Sequence, residues 1–234
     1  MGLLYGQREI EEWGEFVQGL RYLNRYLPTN EAYFADLLDG CLQRRKTLPA
    51  RTSLYRARIM PLDKSMDDTP LPPEQMGNPP PDVATAGRLN PEGISCLYAA
   101  LQEDTAVAEV RPWTGARLTV AEFKTAEPLE VLDLTAVVRG PSAQSELRQK
   151  LLSVMVARPI HREDRWGYLG TQYLAEALKA KRVFGIIYAS SLRAAGRNVA
   201  MFSNVTLHVE FTKVVEIRSV SYDYGPPAGP AVSR

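Results

Sequence analysis

The hydrophobic period of this chain changes along its length, and that change constrains the fold more than any other feature. Ile10, Trp13, Phe16, Val17, Leu20, Leu23 and Leu27 recur at helical spacing, the pattern of an amphipathic helix, which Pro28 ends. Tyr33, Phe34, Leu37, Leu38, Cys41 and Leu42 repeat the pattern in a second helix. From Ser53 the period falls to two. Strands are expected over 53–60, 95–100, 116–123 and 129–134, with a short helix at 104–111 among them. Helices follow over 145–157 and 170–181, then strands over 183–190, 198–202 and 207–217. Strands first, helices in the middle and strands last specify an α+β fold with largely antiparallel sheets. The βαβ rhythm of a doubly wound fold is absent, as are GxGxxG and Walker-type loops and any internal repeat.

This pattern divides the chain into a helical extension over 1–48, a main domain over 49–220 and a tail over 221–234 that is expected to be disordered. The extension reads as a helical hairpin, packed on the main domain or serving as a lid or partner-docking element. Pro61, Pro70, Pro72, Pro73, Pro79, Pro80 and Pro81 fall in a non-periodic stretch between about 61 and 86. A stretch of that length is functional or disordered.

Charge and cysteine usage exclude several function classes. The formal net charge is +1, so no overall field recruits nucleic acid or an anionic membrane. The basic clusters "RRK" at 44–46 and "KAKR" at 179–182 read as solvated helix ends. Cys41 and Cys96 lie in apolar surroundings, and with only 2 histidines in the chain no metal site is expected. A reducing, cytoplasmic compartment fits them best. The longest apolar run, "LLSVMVA" at 151–157, is far too short to span a bilayer, and "MGLLYGQREIEEW" has no export or lipidation pattern.

Several polar residues occupy apolar places. In "SLYRARIM" alternation sends Leu54, Arg56, Arg58 and Met60 to one face, and a face with two arginines must be wet or paired. Arg88, in "GRLNPEG", is presented from a turn, and a second arginine near Arg56 would suit a diphosphate, because the planar fork matches phosphate oxygens. Tyr98, mid-strand in "SCLYAA", is either core or a ring face for a flat or cationic heterocycle. Glu109 sits at the flank of the apolar stripe of its helix. A carboxylate there is solvated, or at a cleft wall it bonds a sugar hydroxyl or stabilises positive charge. Ser190 ends the apolar face of "VFGIIYASS" as a turn former or a ligand contact. No His or Lys adjoins it in sequence, although His161 or His208 can approach in the fold, so a binding role is preferred over a nucleophilic one.

In order, "LYRAR", "GRLNPEGISCLYAALQEDTAVAEV", "YLGTQYLAEAL" and "FGIIYASSLRAAGRNVAMF" resemble the successive blocks of the RES domain family, from about Leu54 to Phe202. Carried over by position, the arginine, glutamate and serine that name the family fall on Arg56, Glu109 and Ser190, with Ser191 an adjacent candidate. Arg88 and Tyr98 match further pocket positions, and Gln172 lies in a family-like "TQ" pair. The resemblance implies an ADP-ribosyltransferase-like fold, antiparallel sheets around an NAD cleft, and a bacterial toxin normally neutralised by an antitoxin. Such a protein uses NAD+ as substrate, degrading it by hydrolysis or phosphorolysis or transferring ADP-ribose to a protein acceptor. The implied roles are Arg56 and Arg88 on the diphosphate, Tyr98 on the nicotinamide ribose or ring, Glu109 at the transition state, and Ser190 on a ribose or nicotinamide contact. A reading from another class is a non-catalytic nucleotide-binding or interaction module, which retention of all three name-giving residues opposes. The N-terminal helices and the proline-rich stretch lie outside the family pattern or interrupt it and leave the acceptor open.

Overall fold

The structure, a computed structural model, describes residues 6–61, 63, 68–136, 140, 142–160, 164, 166–202, 205–222 and 224–225. His161 and the tail from 226 onward lie outside these residues. In chain order the elements are α1 (Gln7–Tyr22), α2 (Glu31–Leu42), β1 (Arg45–Leu48), β2 (Ser53–Ile59), α3 (Pro73–Met76), β3 (Cys96–Ala100), α4 (Glu103–Glu109), β4 (Arg117–Thr125), β5 (Leu129–Asp133), α5 (Ala143–Ala157), α6 (Leu169–Ala180), β6 (Gly185–Ala189), β7 (Arg197–Phe202) and β8 (Leu207–Glu216). The fold is α+β with a mostly antiparallel sheet.

The sheet has 8 strands in the order β1-β5-β6-β7-β3-β2-β4-β8. Only β5 and β6 are parallel, and a parallel pair needs a long crossover, which α5 and α6 supply. One joint is incomplete. All of β2 from Ser53 to Ile59 registers with β4, but β2 registers with β3 only at Tyr55↔Ala100. The strand order therefore consists of a five-stranded and a three-stranded part held together by one residue pair, with the strands parting beside it.

The N-terminal helices bury their apolar faces in the main core. Phe16 and Leu20 of α1, and Tyr33, Phe34, Leu37 and Cys41 of α2, cluster with Leu152, Leu174 and Leu178 of α5 and α6 and with Ile186 and Phe202 of the sheet. Phe16 stacks on Phe34, centroids 5.4 Å apart, and meets Tyr173 edge-on at 5.9 Å. The first helix stops earlier than its apolar spacing suggests. Asn24 Oδ1 accepts hydrogen bonds from the amides of Tyr26 and Leu27, so its side chain competes for the backbone and breaks the helical ladder. Leu23 and Leu27 are consequently exposed.

The "RRK" cluster is not a solvated helix end. Arg45 and Lys46 belong to β1 at the sheet edge, and Arg44 is buried, donating to Ser153 Oγ (2.9 Å) and the carbonyls of Ala136 (2.7 Å) and Gln149 (3.4 Å). Acceptors from two segments draw the guanidinium inward. The proline-rich stretch is packed where it is described. Leu71 and Met76 are buried, the Leu71 amide donates to Thr119 Oγ1 (2.8 Å), and Ser95 Oγ donates to Pro79 O (2.7 Å).

Both cysteines are free and buried, and burial pushes each thiol up to about 12. The thiolate is the reactive form, so folded protein at pH 8 is expected to resist iodoacetamide and to react at Cys41 and Cys96 once unfolded. Mass spectrometry reads this directly; fast labelling of folded protein contradicts the packing. No described helix is long and apolar enough to cross a membrane.

Candidate active site

The parting of β2 from β3 opens a cavity of about 590 Å³, a size suited to a small-molecule ligand. Consecutive residues line it, Tyr55 to Ile59 from β2 and Tyr98 to Ala100 from β3. Alternation along a paired strand cannot bring neighbours to one surface; the open strand edge does. The remaining walls are Gly87 and Arg88, Ala106 and Glu109 of α4 with Val110 just after it, Tyr168, Tyr188 of β6 and Asn198 of β7. Arg56, Arg58 and Arg88 line the cavity together with one carboxylate, Glu109, so its walls carry groups suited to an anion and one suited to developing positive charge.

Glu109 is held from two directions. Ser190 Oγ donates to its Oε1 at 2.6 Å, and Asn198 Nδ2 donates to the same oxygen at 2.6 Å. Ser190 Oγ accepts from the amides of Leu192 (3.1 Å) and Arg193 (3.2 Å), which leaves its single proton for Glu109. Ser190 does not itself line the cavity; it reaches the site through the carboxylate. Ser191 is exposed and makes no such contact among the described residues. His208 lies on β8, the outer strand beyond β4, remote from Ser190 on the far side of the strand order.

Arg56 and Arg58 have different surroundings. Arg56 donates through one terminal nitrogen to the carbonyls of Gly77 (2.6 Å) and Met76 (3.3 Å), tying the proline-rich stretch to β2. Burial, and then the charge of Arg58, lowers its pKa to about 10, so it stays charged at neutral pH. Arg58 is exposed and donates to Gln75 O. Both arginines thus anchor α3 and the residue after it, and both line the cavity; they differ in that Arg56 is the more buried.

Arg88 is fixed by its neighbours. It donates to Ala157 O (2.5 Å) and Val156 O (3.2 Å) at the C-terminus of α5, where the helix dipole favours a cation. Its guanidinium lies 5.8 Å from the ring centroids of both Tyr168 and Tyr188. The turn bearing it is clamped by α6: Gln172 Nε2 donates to Gly87 O (2.8 Å) and Asn90 O (3.1 Å), and Thr171 Oγ1 to Arg88 O (2.5 Å). Gln172 therefore stands behind the turn and does not line the cavity. Tyr98 OH donates to Asn90 Oδ1 (2.7 Å) and accepts from Leu89 N (2.9 Å), so its ring faces the cavity while its hydroxyl is engaged. A Cβ at Gly87 would lie 2.6 Å from that hydroxyl, which is why the turn needs glycine there.

Arg56, Arg88, Tyr98 and Glu109 thus share one cavity. Sequence reasoning did not single out Asn198, Tyr168 or Tyr188. For Asn198 a signal existed, an asparagine inside the apolar strand "RNVAMF", because a buried amide needs a partner. Among the described residues no cluster of His, Cys, Asp or Glu is arranged to hold a metal.

The RES domain family matches residues 54–224, well over half of the chain, and the protein belongs to that family. Among solved structures it is similar to a chain of the "Crystal structure of the M.tuberculosis MbcT-MbcA toxin-antitoxin complex", with 14% identity and a TM-score of 0.44 over 77% of this chain and 92% of that one. Comparison with curated proteins finds no match.

Proposed function

We propose that this protein is an NAD+-consuming enzyme, the toxin of a toxin–antitoxin pair, that cleaves the bond between nicotinamide and ribose. The observation that carries this reading is the meeting of a carboxylate, fixed by Ser190 and Asn198, with Arg56 and Arg88 in one cavity. Breaking the C1′–N bond sends its electron pair to nicotinamide, which leaves neutral, and builds oxocarbenium character on the ribose. Glu109 offsets that charge. Arg56 and Arg88 bind the diphosphate, and the Tyr98 ring packs on the nicotinamide ribose or ring. Ser190 and Asn198 aim the carboxylate, while Gln172 holds the turn that presents Arg88. Water or phosphate then bonds to C1′; water gives up a proton, and phosphate yields a ribosyl phosphate. The ADP-ribosyltransferase-like fold implied by the family resemblance accommodates the same chemistry with a protein acceptor.

Purified protein free of partner, incubated with NAD+ with and without phosphate, is expected to release nicotinamide. Absence of release from folded protein rejects the degradation reading, and label carried from NAD+ onto protein replaces it with ADP-ribosyl transfer. Within this assay Arg56→Ala is expected to lose at least about tenfold of the rate, through loss of a charge-assisted contact to phosphate. Arg58→Ala, which removes an exposed anchor of α3, stays within about threefold of the parent. Equal loss in both variants would assign Arg56 to loop anchoring.

A further inference from the structure

Four tyrosines line the cavity, Tyr55, Tyr98, Tyr168 and Tyr188, and their hydroxyls differ in one respect. Tyr55 OH donates to Glu122 (3.4 Å), Tyr98 OH both donates and accepts, and Tyr168 OH accepts from Ile160 N (3.2 Å). Tyr188 OH has no hydrogen-bond partner among the described residues, although the residue is only 4% exposed. Its oxygen is not among the fully buried unpaired atoms, so the hydroxyl opens into the cavity. A phenol so deeply set ordinarily finds a partner, because leaving it unpaired costs free energy that phenylalanine would not incur.

Its position indicates the partner. Tyr188 pairs in register with Asn198, which holds Glu109, and its ring lies 5.8 Å from the Arg88 guanidinium. The hydroxyl therefore belongs to the stretch between the anion-binding arginine and the carboxylate. Burial keeps it in the protonated, donating form, with Arg88 opposing and Glu109 assisting.

We propose that Tyr188 donates its hydroxyl hydrogen bond to a phosphate oxygen of the ligand seated against Arg88, making it a phosphate-reading residue of this site. The inference rests on the NAD+ reading above and adds a contact that tyrosine supplies and phenylalanine does not. It also separates the hydroxyls of the two central tyrosines: that of Tyr98 holds the turn that carries Arg88, and that of Tyr188 meets the ligand.

The test is Tyr188→Phe, made in the Glu109→Gln background so that ligand is consumed at least about a hundredfold more slowly. Binding of NAD+ is measured by calorimetry, binding of nicotinamide riboside by competition up to millimolar, and stability by thermal melting. NAD+ is expected to bind about ten- to hundredfold more weakly, the range of a hydrogen bond to a charged group, with the melting temperature unchanged or slightly raised because no intramolecular bond is lost. The riboside, which has no phosphate, is expected to change by less than about twofold; a riboside that fails to compete at all leaves the NAD+ factor and the melting temperature to decide. Unchanged NAD+ affinity overturns the proposal. So does an equal loss for both ligands, which places the bond on the ribose or ring, and so does a melting temperature lowered by several degrees, which makes the hydroxyl structural. Failure of the Glu109→Gln parent to bind NAD+ rejects the NAD+ reading itself and is distinguishable from all three.

Discussion

Glu109→Gln is expected to fold as the parent does and to release nicotinamide at least about a hundredfold more slowly. The substitution conserves shape, and its retained oxygen still accepts from Ser190 Oγ and Asn198 Nδ2, each 2.6 Å from Oε1 in the parent. What disappears is a negative charge in a cavity otherwise lined by Arg56, Arg58 and Arg88. Without it, positive charge growing on the ribose meets only like charge. Substrate affinity should change much less than the rate, since a charge that develops only at the transition state is not yet present in the ground state. Steady-state rates and NAD+ binding, measured beside a melting curve, separate the two. A variant that keeps more than about a tenth of the parent rate would move the catalytic role elsewhere.

Phe16→Ala is expected to destabilise the protein by about 3–5 kcal/mol, the range for removing a large buried aromatic. Phe16 is 2% exposed and touches Trp13, Tyr33, Phe34 and Tyr173 through their rings. Its loss leaves a void among elements that do not touch the cavity, so NAD+ affinity of the surviving folded fraction is expected to hold. Removal of residues 1–48 should be worse. It strips α1 and α2 from the core, takes β1 from the edge beside β5 and leaves the acceptors of Arg44 unpaired. Chemical denaturation of both variants checks this. A chain beginning at 49 that melts cooperatively at the parent temperature would show the extension to be an independent addition.

The element types were legible because periodicity survives in a single sequence. The strand at Ser53–Ile59 and the helices α5 and α6 lie within a few residues of where their apolar spacing puts them. Two boundaries failed for local and non-local reasons. Asn24 ends α1 through side-chain bonds that apolar spacing does not register, and β1 is a strand only because β5, far along the chain, offers it an edge.

The site was legible as a set of residue types and not as an arrangement. Arg56 stood out because charge inside an apolar pattern is costly unless it is paired or used, Arg88 because a turn can present its guanidinium, and Glu109 because it flanks the apolar stripe of its helix. Ser190 stood out as well, but its proton reaches Glu109 across 81 residues of chain, and no spacing rule encodes that distance. Tyr98 and Tyr188 read alike in sequence, as aromatics within apolar strands. Whether a hydroxyl is spent on the turn at Leu89 and Asn90 or left facing the ligand depends on what the fold brings within about 3 Å of it.

By itself, then, the sequence determined the fold class, the charged residues that needed a reason to be inside, and the resemblance of four ordered blocks to one family. The tertiary structure decided that β2 and β3 join at a single pair, Tyr55↔Ala100. Strand pairing joins segments distant in sequence: β4 takes one edge of β2 over its whole length, while β3, on the opposite edge, is paired along its own length with β7 and meets β2 at one residue. The edge of β2 that faces β3 is left largely unpaired, and the cavity lies in that gap.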